Sequence, residues 1–148
     1  MPVVEIIKLG DSRPEPFKRA AARPLSDLKV LDCTHVIAGP TCAKTLASQR
    51  AEVLHITCPS RPRLPPFDTD TSHGKLSAFL DLKIAKDNHR MRDPVKDADV
   101  FSQSYRPGKL TSLGFSPHPG QRSDIEGRGS LALSLKWNSI VSSIRRKW

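Results

Sequence analysis

Val30-Leu-Asp-Cys-Thr-His-Val-Ile-Ala-Gly-Pro40, running on into Thr41-Cys-Ala-Lys-Thr-Leu-Ala-Ser-Gln49, decides the fold. Leu28 to Cys33 is a short apolar run with two polar breaks, the length of a buried strand. Gly39-Pro40 punctuates the loop that follows. Pro40 suits the first position of a helix, where its missing N–H needs no partner. Ala43, Leu46 and Ala47 then recur at helical spacing as far as Gln49, and Glu52-Val-Leu-His-Ile-Thr57 reads as a second strand. Strand, loop, helix and strand in about 30 residues predict a βαβ unit, whose right-handed crossover implies a parallel sheet. Ligands of such sheets lie beyond the carboxyl ends of the strands, here around Thr34–Gly39 and Thr57–Pro59. No GxGxxG accompanies the unit, so a dinucleotide is not implied.

One domain is the prior for 148 residues, and an apolar fraction of 37% with 13 prolines suggests a modest folded part with loose ends. The net charge of +9 is unevenly spread. Residues 1–50 carry 8 basic and 5 acidic groups, 51–100 carry 8 and 8, and 101–148 carry 8 and 2. Most of the excess therefore lies in the last third. Apart from Arg145-Arg-Lys-Trp148 there is no cluster of basic and stacking residues, so no nucleic-acid partner is expected. Cys33, Cys42 and Cys58 form no CxxC and no metal spacing, and the five histidines share none either. Cys33 and Cys58, at strand ends, read as small buried hydrophobes in a reducing intracellular compartment. Cytoplasm, mitochondrion and peroxisome all fit. No signal peptide and no membrane span is read.

Outward from the βαβ unit, residues 1–24 read as a linker, with Val3–Leu9 as a possible edge strand. Cys58 to Phe67 is a loop by composition, holding Arg61 and Arg63 at the carboxyl edge of the sheet. These arginines either meet phosphate or are simply solvated. Asp68 to Lys75 is polar and turn-rich, Ser77 to Leu82 suits a third strand, and Ala85 to Lys96 a helix that Pro94 ends or kinks. Ala98 to Ser102 is a fourth strand, Tyr105-Arg-Pro-Gly108 a sharp turn, and Lys109 to Leu113 a helical turn closed by Gly114.

Pro24 to Pro40 resembles the opening of the family III CoA-transferases, which include formyl-CoA transferase, the carnitine CoA-transferases and α-methylacyl-CoA racemase. Further stretches follow in the family's order: Ala51-Glu-Val-Leu-His-Ile56, Gly74-Lys75 before Ser77-Ala-Phe-Leu-Asp-Leu82, Ala98-Asp-Val100, Tyr105-Arg-Pro-Gly108 and Leu113-Gly-Phe115. The resemblance spans Pro24–Pro117 and implies a Rossmann-like parallel α/β sheet, incomplete, whose 25–117 portion binds CoA. It implies that His35, Val36, Ile37 and Ala38 line the CoA loop, that Lys75 approaches the CoA phosphates, and that Tyr105 helps hold the adenine or pantetheine side. An anionic cofactor with an aromatic base calls for such cations and a flat ring. CoA or acyl-CoA is then a substrate, and no metal is implied.

Three departures stand out. Asp27 and Arg50 occupy positions where the family usually has Gly, each a turn where positive φ would strain them, and Leu76 replaces a common Arg. After Pro117 the resemblance stops, and 118–148 read as a divergent basic tail, mostly disordered, as a frame change or mis-joined exon would produce. Leu131, Leu133 and Leu135 nonetheless alternate like a strand. The family transfers CoA between carboxylic acids through an aspartyl anhydride and then an aspartyl-CoA thioester. The Asp responsible belongs to the segment past the resemblance, so no catalytic residue is assigned and Asp32 reads as structural. The sequence thus predicts a truncated, inactive CoA-transferase-like chain that cannot form the family's interlocked dimer. A non-catalytic CoA-binding or interaction protein is the alternative.

Overall fold

A computed structural model describes residues 24–62, 64–106 and 108–115, and the backbone of 131–134. The proposed linker before residue 24, Arg63, and the tail outside 131–134 lie beyond the described residues. In order come β1 (Lys29–Cys33), α1 (Ala38–Ser48), β2 (Glu52–Thr57), α2 (Pro65–Thr71), β3 (Leu76–Phe79), α3 (Ala85–Asp97), β4 (Val100–Gln103), a 3₁₀ turn (Thr111–Leu113) and β5 (Leu131–Ser134).

The strands form one parallel sheet in the order β3-β2-β1-β4-β5. This is the doubly wound, Rossmann-like arrangement, with the order reversing between β1 and β4. In β5, four residues of the tail, within the stretch whose leucines alternate like a strand, pair with β4, Val100 opposite Leu131 and Gln103 opposite Ser134.

Alternation along β1 explains the two cores. Val30 packs with Ala43 and Ala47 of α1, Val53 of β2 and Val100 of β4 on one face. Leu31 and Cys33 face the other way, towards Met91 and Val95 of α3, Phe101, Leu110 and Phe115. Both faces being covered is why the central strands β1 and β4 read as mostly apolar runs. Met91 and Val95, one turn apart and wholly buried, hold α3 against the sheet through Pro94, and the helix runs on to Asp97. Leu113-Gly-Phe115 works as a hook: Gly114 takes φ 91°, the chain reverses, and Phe115 drops into the core with its N–H on the Leu110 carbonyl.

Three local expectations need adjusting. α1 starts at Ala38, two residues before Pro40, which the helix therefore carries at its third position. The stretch expected to be loop and turns contains α2, started by Pro65-Pro66 and joined to α1 by a Lys44–Asp70 ion pair at 2.8 Å. Arg50 does adopt the left-handed conformation, at φ 74°; Asp27 does not, and the second such non-glycine among the described residues is Val36, also at φ 74°.

Candidate functional site at the carboxyl edge of the sheet

The reversal between β1 and β4 opens a crevice at the carboxyl ends of those strands, and two residues from the sequence reading meet there. His35 follows β1 and Tyr105 follows β4, their rings edge to face with centroids 5.3 Å apart. The His35 N–H donates to Ser104 Oγ at 2.9 Å, tying the two loops together. From the end of β2, Arg61 lays its guanidinium over the Tyr105 ring, 5.2 Å from the centroid. Burial, reinforced by the nearby Arg61 and His55 charges, lowers the His35 pKa to about 4, so its imidazole is neutral at pH 7. Its Nε2 is buried without a partner among the described residues. Burial pushes the Tyr105 phenol upward, and it too stays neutral.

Behind this crevice lies a charged cluster. Asp32 is wholly buried near the end of β1. One carboxylate oxygen accepts from the Thr34 N–H at 3.0 Å and from the Thr34 hydroxyl. The other accepts from His55 Nδ1 at 3.0 Å and from the Lys75 ammonium at 2.9 Å. His55 is the register partner of Asp32 on β2, so the pleat directs both side chains to the same face. Burial alone would raise the Asp32 pKa; the hydrogen bonds from His55, Thr34 and Lys75 outweigh it and hold the carboxyl below the usual carboxylate value. Asp32 is thus structural, and both of its oxygens are engaged.

The same cluster takes in Lys75. Its side chain is only 2% exposed, and its ammonium bonds Asp32 and, at 2.9 Å, the Pro40 carbonyl. The sequence reading placed a cation at this edge and did not foresee its pairing with the buried Asp32. Val36 and Ile37 stand 51% and 44% exposed on the loop, and Ala38, also exposed, opens α1.

A concavity of about 270 Å³ lies between the loops after β2, β3 and β4. Arg61, Lys83 and Lys109 stand around it, with the Tyr105 ring and apolar Leu82 and Leu113 in the lining. A shallower groove of about 520 Å³ shares Leu82, Lys83 and Leu113 with it and reaches Arg92 on α3. Asp81 is the carboxylate in the smaller concavity, and one of its oxygens accepts the Lys83 N–H at 3.0 Å. Lys83 and Lys109 were missed in the sequence reading. Their signal was positional: each follows a strand by a few residues at the carboxyl edge. The site can therefore hold an anion beside a flat ring, and it offers a buried neutral imidazole close by.

Comparisons with known proteins match the sequence and the fold. Residues 25–120 match the model of CoA-transferase family III. The acetyl-coenzyme A transferase nodX of Hypoxylon pulicicidum is 41% identical over 93 residues, covering 63% of this chain and 16% of that protein. A formyl-CoA:oxalate CoA-transferase of Afipia carboxidovorans is 35% identical over 107 residues, covering 64% and 25%. The crystal structure of Rv3272 from Mycobacterium tuberculosis superposes with a TM-score of 0.65 at 27% identity, covering 76% of this chain and 33% of that one. The chain thus spans about a sixth to a quarter of the length of these curated relatives. With most of its described fold matched in sequence and in structure, the chain belongs to CoA-transferase family III.

Proposed function

We propose that this chain is a CoA-binding unit of a family III CoA-transferase: it holds CoA or an acyl-CoA at the carboxyl edge of its sheet and by itself transfers no acyl group. The observation that carries the reading is the grouping of Arg61, Lys83 and Lys109 with the Tyr105 ring around one concavity. CoA presents phosphates and an adenine, which such cations and a flat apolar surface complement. The loop His35–Ala38 then flanks the pantetheine side. Its exposed Val36 and Ile37 offer apolar surface, and the Tyr105-packed imidazole of His35 offers a neutral hydrogen-bonding group.

Transfer of CoA between carboxylic acids needs a carboxylate free to attack a thioester carbonyl and form an anhydride. Among the described residues Asp81 lines the concavity with one oxygen accepting the Lys83 N–H, and Asp32 is wholly buried and bonded on both oxygens. Asp32 is unsuited to that attack. The acyl substrate and the full reaction accordingly belong, in this reading, to additional sequence of the kind the longer relatives carry. Free cysteines at positions 33, 42 and 58 fit a reducing intracellular compartment as its setting.

Calorimetric titration with CoA tests the binding half of the proposal. Intact-mass measurement after incubation with acyl-CoA and a free carboxylate, with and without hydroxylamine, tests the other half. Saturable binding with no covalent adduct is the expected pair of results. A hydroxylamine-labile mass increase mapping to a carboxylate of this chain would show that it is catalytic. Absence of binding would remove the CoA reading of the cleft.

A further inference from the structure

We propose that Lys75 and Asp32 form a positioning pair that sets the path of the loop from Thr34 to Gly39, the loop that flanks CoA in the reading given above, on which this inference rests. The two charges reach both ends of the loop. Asp32 holds its start, accepting from the N–H and hydroxyl of Thr34. Lys75 holds its end, donating to the Pro40 carbonyl in the first turn of α1 while its ammonium pairs with Asp32 at 2.9 Å. One ion pair therefore closes a ring around the intervening backbone.

What lies inside that ring needs holding. Val36 sits at φ 74°, a conformation that a β-branched residue adopts only where its surroundings over-determine it. Gly39 has space for hydrogen alone on the side towards Thr34: a Cβ there would stand 2.3 Å from Thr34 Cβ. The returning chain is thus pressed against the residue that Asp32 anchors. Lys75 is delivered to this place by Gly74, whose φ of 76° turns the chain into β3. A buried ammonium on a buried carboxylate is a poor way to gain stability, since apolar residues of similar volume do as well. Its value here is geometric, because the ammonium provides two directed bonds that a methylene cannot. Lys75 is accordingly a positioning residue, and phosphate contact falls to the cations around the cleft.

The test compares Lys75→Met, Lys83→Met and the core truncation Val95→Ala in the 148-residue chain. Hydrogen exchange at the Thr34 and His35 amides and the salt dependence of CoA affinity are the readouts. Lys75→Met should speed exchange at those two amides by about tenfold or more, the loss that one bond to a charged group carries. CoA affinity should fall while its salt dependence stays that of the parent chain. Lys83→Met should leave the two amides alone and make the salt dependence shallower, since a charge facing phosphate has gone. Val95→Ala should lower overall stability with no selective change at the loop, separating positioning from general weakening.

If Lys75→Met does not fold, the double variant Lys75→Met/Asp32→Asn, which strands no charge, takes its place with the same expected loop exchange. Parent-like exchange at Thr34 and His35 in the variant studied would overturn the inference, as would a shallower salt dependence for Lys75→Met. If the parent chain binds no CoA, the cleft reading fails on its own and the exchange measurement still decides the role of the pair.

Discussion

Replacing Gly39 with alanine probes the most tightly built part of the site. The added methyl would lie 2.3, 2.6 and 2.7 Å from the Cβ, Cγ2 and Oγ1 of Thr34, where ordinary contact begins at 3.4 Å. Thr34 is wholly buried and hydrogen-bonded to Asp32, so it has nowhere to retreat without surrendering those bonds. Overpacking of this kind costs roughly 1–3 kcal/mol. Loosening a hydrogen bond to an ionised carboxylate adds about 1.5–3 kcal/mol. Alanine returns about 1 kcal/mol of helix propensity in α1. The net loss is then about 1.5–5 kcal/mol, a large share of the 5–15 kcal/mol typical of a domain. Urea unfolding of Gly39→Ala should show a midpoint lowered by about 0.5 M or more, taking an m-value of about 1–3 kcal/mol/M. Thr34→Gly removes all three clashing atoms, so the double variant should lose less than the sum of the two single losses. A Gly39→Ala chain at least as stable as its parent, which propensity alone would give, refutes the reasoning.

Other outcomes follow from single residues. Arg50 is exposed and left-handed at φ 74°, so Arg50→Gly should raise stability by about 0.5–1 kcal/mol in the same urea assay; a loss would mean that its side chain contributes more than the strain removes. His35 has a folded pKa of about 4 against an ordinary 6.5, so the unfolded chain binds more protons between those values and stability falls as pH drops from 6.5 to 4. His35→Asn should show a shallower decline over that window, and an identical slope would count against a buried neutral His35. A thiol reagent should modify exposed Cys42 first and leave buried Cys33, whose pKa burial and then Asp32 push upward, untouched until the chain unfolds. Early labelling of Cys33 by peptide mapping would contradict its burial.

Much of the fold was legible because its central strands β1 and β4 are short, mostly buried apolar runs. β2 runs over the six residues read from Glu52 to Thr57, and the hook at Leu113-Gly-Phe115 stands where the turn was expected. α2 was not legible: Pro65, Pro66 and the polar Asp68–Thr71 look like loop, and what makes them helical is a proline start and a tertiary ion pair to Lys44. β5 was visible only as an alternation of leucines, since pairing with β4 lies outside local sequence. At the site, the meeting of His35 with Tyr105 follows from both residues trailing central strands. The fate of Lys75 does not, because it depends on Asp32 and Lys75 reaching one point across β2, a fact of register and side-chain length.

The central claim is that CoA occupies the concavity between the loops after β2, β3 and β4. Titration of the isotopically labelled chain with CoA, followed amide by amide in two-dimensional NMR spectra, tests it most directly. The account predicts saturable shifts concentrated at Arg61, Leu80–Lys83, Tyr105 and Lys109, extending to His35–Ala38. Shifts scattered over basic residues across the surface, or no shifts at all, would contradict it.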